Sequence, residues 1–148
     1  MWKLKKLYRK TKNVIRWIPV IWADEQWDYR YLYAVLYFKL KCMEEFFRSD
    51  ETHILYAENV ANYIRIAKCL TKRLHDDEYL SRALIPFDKQ YNSEDVMDFD
   101  ENLRVVWSED KKLMDAWDRA CSHSNYMEKQ DHEYLFDFLK RRIQFWWD

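Results

Sequence analysis

Apolar and polar residues recur along this chain with a helical period over most of its length. Residues 2 to 16 interleave Trp2, Leu4, Leu7 and Tyr8 with bases in a helical manner, and Pro19 then predicts an extended or turning link. Asp24 is placed to cap a second helix over 25 to 48, since its carboxylate can accept from free first-turn amides and Glu25 and Asp28 suit the positive end. In that helix Tyr29, Leu32, Leu36, Leu40, Met43 and Phe47 keep a three-four spacing beside a second stripe, Tyr31, Val35, Phe38, Cys42 and Phe46. Two apolar stripes on one helix predict a central position. The narrow face left over holds Gln26, Arg30, Tyr33, Tyr37, Lys41 and Glu44.

A third helix, 54 to 74, is amphipathic, with Ala57, Val60, Ile64, Ala67, Leu70 and Leu74 on one side and Glu58, Asn62, Arg65 and Lys72 on the other. A short helix near 78 to 85 is expected to stop at Pro86. Periodicity then lapses from 87 to 107, an irregular acidic excursion in which Leu103 to Trp107 can be extended. Ser108 opens another helix with Leu113, Trp117 and Ala120 inward, and it weakens at Ser122-His123-Ser124-Asn125. Asn125 and Glu128 have the spacing of a capping box for a last helix, in which Leu135, Phe138, Leu139 and Trp146 share a side. The pattern therefore predicts a mostly all-α chain, a compact multi-helix bundle forming one domain over residues 1–148.

Composition sharpens that picture. The 148 residues contain no glycine and two prolines. Phosphate-cradling loops, dinucleotide loops and the Gly-flanked nucleophile elbow all require glycine backbone and are excluded. Tight hairpins favour Asn-Gly or Asp-Gly, so an all-β fold is also disfavoured. Eight Trp, eleven Tyr and eight Phe supply more ring surface than a domain this size hides, so some rings should be exposed. Cys42, Cys69 and Cys121 are odd in number and widely spaced, which predicts core thiols in a reducing compartment. No apolar run reaches the ~20 residues of a membrane span, and no signal-peptide pattern opens the chain, so a soluble, unsecreted protein is expected.

Net charge is −1, but its distribution is uneven. Lys3, Lys5, Lys6, Arg9, Lys10, Lys12 and Arg16 fall in the first sixteen residues without an acid. Glu94, Asp95, Asp98, Asp100 and Glu101 form a run without a base. The basic segment, with Trp2, Tyr8 and Trp17, has the chemistry to contact phosphates and stack on bases, or to sit on an anionic membrane. The plain alternative is a solvated surface helix whose rings pack inward. Arg30, Tyr33 and Tyr37 are residue types enriched in binding hot spots, or are covered by the N-terminal helix, and the acidic run can mimic a phosphate strand towards a basic partner, or be a solvated loop.

Catalytic and metal constellations are not expected, nor a cofactor. His75-Asp76-Asp77-Glu78 spreads around a helix, and neither His-Glu-x-x-His nor a Glu-x-x-His pair occurs. Cys121 and His123, two apart, do not face each other on a helix. Asp98 and Asp100 would need a pocket to split their pKa values before they could act as acid and base.

Arg16-Trp17-Ile18-Pro19-Val20-Ile21-Trp22-Ala23-Asp24, Trp27-Asp28-Tyr29, Lys39-Leu40-Lys41-Cys42-Met43-Glu44 and the terminal Trp146-Trp147-Asp148 together resemble a group of small proteins encoded by tailed bacteriophages. The resemblance covers the first third and the extreme C-terminus. It implies a viral protein acting in the host cytoplasm, where small non-enzymatic phage proteins bind a host protein or block a defence system, as an anti-CRISPR-like inhibitor of an immune effector does. A nucleic-acid or nucleotide binder is the alternative expectation.

Overall fold

A computed structural model describes residues 2–24, 27–50 and 52–146, without the side chains of Trp2, Lys3 and Lys5. The fold is mostly α-helical, as the periodicity predicts. Its α-helices are α1 (Trp2–Trp22), α2 (Tyr31–Phe47), α3 (Ala57–Asp76), α4 (Tyr79–Asp88) and α5 (Lys111–Arg142). Two three-residue strands, β1 (Met97–Phe99) and β2 (Val105–Trp107), form an antiparallel hairpin in the register Met97↔Trp107, Asp98↔Val106, Phe99↔Val105. Among the described residues no helix is long and apolar enough to cross a membrane.

The chain divides into two compact units, Met1–His75 with Phe138–Asp148, and Asp76–Asp137. In the first, Leu40, Met43 and Phe47 of α2, Val60, Ile64, Ala67, Leu70 and Leu74 of α3, and Trp146 are buried. The α3 stripe lies inward as its spacing predicts, and Glu58 in the first turn and Arg73 and His75 in the last complement the helix dipole. Buried Thr71 returns its hydroxyl to the Ala67 carbonyl at 2.8 Å. Glu44 of α2 bonds Lys68 of α3 at 2.6 Å and Arg48 at 3.1 Å, and Arg48 reaches Asn62 of α3 at 3.0 Å. These contacts join α2 to α3. In the second unit, Phe87, Val96, Leu113 and Ala120 are buried together, with Trp117 edge-on to Phe87 at 5.6 Å. Buried Tyr79 donates to buried Asp131 at 2.9 Å.

Several boundaries differ from expectation. Pro19 and Pro86 lie inside α1 and α4 and end neither. Each sits close to its helix's C-terminus, where a missing amide costs one bond and few turns remain to be disrupted. Near Pro19, the free end of α1 is tied down by Tyr31, whose hydroxyl donates to the Val20 carbonyl at 2.8 Å. α2 starts at Tyr31, because Asp28 engages the Arg30 amide at 2.8 Å in a turn that competes with helix. The expected first turn at Glu25 and Gln26 lies outside the described residues. α5 runs unbroken through Ser122 to Asn125, so the expected capping box at Asn125 is not formed. Its real cap is Asp110, whose Oδ1 accepts from Lys112 N at 2.8 Å and Leu113 N at 3.3 Å. The α2 stripe is buried only in its second half, since Tyr29 and Leu32 are exposed. Cys69 is exposed too, not in the core, while Cys42 and Cys121 are half-buried.

Candidate functional site

In the first unit, α1 has two chemically distinct sides. At ~100° per residue, Leu4, Leu7, Tyr8, Val14, Ile15, Ile18, Ile21 and Trp22 fall within an arc of ~140°, and each is at least half exposed. Lys6, Arg9, Lys12 and Arg16 occupy the opposite arc and are also exposed. What α1 turns towards α2 is not that apolar arc. The Trp17 ring stands edge-on to Phe38 at 4.7 Å, Arg16 pairs with Glu45, and Val20 receives the Tyr31 hydroxyl. Burial, reinforced by the charge of Asp24, raises the Tyr31 pKa and keeps that donor protonated. Of the predicted basic set, Lys6, Arg9, Lys10 and Lys12 are exposed, Arg16 is paired, and the side chains of Lys3 and Lys5 lie outside the described residues.

Arg30, Tyr33 and Tyr37 are half-buried at the start of α2, with the Arg30 guanidinium 5.8 Å from the centre of the Tyr29 ring. Trp27 and Tyr29 nearby are exposed. The predicted acids lie in the second unit. Glu94 and Asp95 sit in a short 3-10 turn, Asp98 on β1, and Asp100 and Glu101 at the hairpin tip. Glu94, Asp95, Asp98 and Glu101 are exposed. Asp100 is engaged by its own turn, accepting from the Asn102 and Arg104 amides at 2.8 Å each.

The hairpin register places Met97, Phe99, Val105 and Trp107 on one face, and all four are 39% to 61% exposed. Neither this face nor the outward arc of α1 belongs to the site predicted from sequence. The signals were present as the alternation Met97-Asp98-Phe99 and as the three-four spacing of Leu4, Leu7, Val14, Ile18 and Ile21. Sequence does not say which side of an amphipathic element finds a neighbour.

An open cleft of about 690 Å³ in the second unit is lined by Asp88, Tyr91, Asn92, Asp95, Ser108 and Asp110 among others. Asp110 is committed to capping α5, and Asn92 accepts from the Glu94 amide at 3.2 Å. Among the described residues no group of three His, Cys, Asp or Glu side chains is placed to hold a metal. Burial, with the charge of Asp118, pushes the Cys121 thiol above its ordinary pKa, the direction that disfavours a thiolate nucleophile. His123 lies two residues further along the same helix, off its face. No known protein family, curated protein or solved structure matches the chain.

Proposed function

We propose that this protein acts by stoichiometric binding to a host protein and that the β1–β2 hairpin is its contact surface. The observation carrying this reading is the exposed apolar face of Met97, Phe99, Val105 and Trp107, in a segment that also carries exposed Glu94, Asp95 and Glu101, with exposed Asp98 on the opposite face of the hairpin. An apolar centre with a charged margin is the usual anatomy of a protein interface. The acids favour a partner with a basic rim, through attraction that steers the encounter and fixes orientation. Arg30, Tyr33 and Tyr37 are a second candidate contact, in the other unit. The resemblance to small phage proteins supports a bacterial host as the setting and an immune effector as the partner, with inhibition by occupancy as the mode of action.

The test is capture of host proteins by the tagged full chain with and without nuclease, repeated with F99D/W107A. Both residues are exposed, so the variant should keep the wild-type circular dichroism. A nuclease-resistant partner at stoichiometric yield, lost with F99D/W107A, supports the reading, and a partner retained by that variant overturns the hairpin assignment. Nucleic-acid binding through Lys6, Arg9, Lys10 and Lys12 is the second reading, supported by their exposure on α1. It predicts nuclease-sensitive ultraviolet-absorbing material whose retention falls steeply with salt.

A further inference from the structure

A helix on the surface of a water-soluble domain ordinarily turns its apolar stripe inward and its charges out. α1 keeps its charges out but leaves its apolar stripe out as well, over 21 residues, about 30 Å of helix. Its contacts with α2 use Arg16, Trp17 and Val20, on the side away from Leu7, Val14, Ile15, Ile18 and Trp22. The outward arc is therefore a largely aliphatic strip that the described residues leave exposed, bordered by bases such as Lys10 and Lys12.

Charge narrows the choice of what covers it. No acid occurs in residues 1 to 23, so a second copy laid face to face along the same strip would bring bases against bases. A nucleic-acid strand would answer the bases but leave the aliphatic strip wet, since stacking uses aromatic rings, not Leu, Val or Ile. An anionic bilayer surface satisfies both, with aliphatic side chains below the headgroups and Lys and Arg at the phosphates. Trp22, 88% exposed at the C-terminal end of the strip, is the ring type that settles at headgroup level. The helix lies on the surface and does not span it, because it is not apolar enough to cross.

We propose that α1 is an interfacial helix that docks the protein on anionic phospholipid membranes through the strip Leu4, Leu7, Val14, Ile15, Ile18 and Trp22. The inference is independent of the hairpin's role and involves a different unit.

The experiment is co-sedimentation of the full chain with phosphatidylcholine vesicles, with and without phosphatidylglycerol. The wild type should sediment with the phosphatidylglycerol vesicles about tenfold more strongly than with the neutral ones, with a blue shift of tryptophan emission. I15E/I18E and, separately, K6E/K10E should each weaken binding by about tenfold or more at unchanged circular dichroism, since all four side chains are exposed. No sedimentation with phosphatidylglycerol vesicles at low salt overturns the proposal, as does binding that survives both pairs of substitutions. A dimer of the protein alone that I15E/I18E dissociates would show that a second copy covers the strip, and would overturn it as well.

Discussion

The ion-pair cluster around Glu44 shows how single residues hold the first unit together. Burial pushes the Glu44 carboxyl up, but hydrogen bonds and charge from Lys68 and Arg48 outweigh it and hold the pKa below its ordinary value. A depressed pKa means that the folded state holds its proton less tightly than the unfolded chain. The contribution is therefore complete above the unfolded value of about 4.5 and fades as pH falls through the folded one. Urea unfolding should find E44Q less stable than wild type by about 2 kcal/mol at pH 7, with the gap narrowing as the pH falls below about 4.5. Trp146 makes a contrasting case. It is 1% exposed, and its indole N–H has no hydrogen-bond partner among the described residues. W146F removes that unpaired donor and should cost within about 1 kcal/mol, whereas W146A, which leaves a ring-sized cavity, should cost about 4 kcal/mol in the same measurement.

At the scale of elements, a glycine-free chain must reverse its backbone with other residues. Tyr56, Asp77 and Leu103 take left-handed conformations with φ of 62°, 50° and 59°. Asp77 follows α3 where glycine commonly ends a helix, and Leu103 closes the hairpin with its amide on the Asp100 carbonyl at 2.9 Å. A leucine there bears a steric cost of about 1–2 kcal/mol. L103G should therefore raise stability by about 1 kcal/mol, net of the extra freedom glycine gives the unfolded chain, measurable as an increase in Tm. Much at this scale was legible beforehand. The α3 stripe, the helical character of α2 and the extended tendency of Leu103 to Trp107 follow from residue spacing and type. The ends of α1, α4 and α5 did not, because Pro19 and Pro86 are tolerated in a last helical turn and Asn125 continues a helix whose cap is Asp110. Asp100 illustrates the same limit at the site: its charge marked it for a partner, yet its geometry commits it to its own turn.

For the whole molecule, the consequence is a folded chain with apolar surface outside as well as in. Native proteins with buried cores seldom bind apolar dyes, and dye binding usually marks a molten state. This protein should enhance anilinonaphthalene sulfonate fluorescence at pH 7 while its near-ultraviolet circular dichroism reports fixed rings. I15E/I18E should lower the dye signal without changing that spectrum, whereas a molten state would lack the near-ultraviolet bands from the start.

The separation of charge has a practical outcome as well. A net charge of −1 is a near-cancellation of 25 bases against 26 acids that are unevenly placed, with no acid in α1 and no base in residues 94 to 101, not a surface without charge. Chromatographic resins respond to local patches within a Debye length, about 10 Å at 0.1 M salt, more than to the sum. Near its pI of about 6.4 the protein should consequently be retained at low salt by both cation and anion exchangers. K6E/K10E should elute earlier from the first and later from the second.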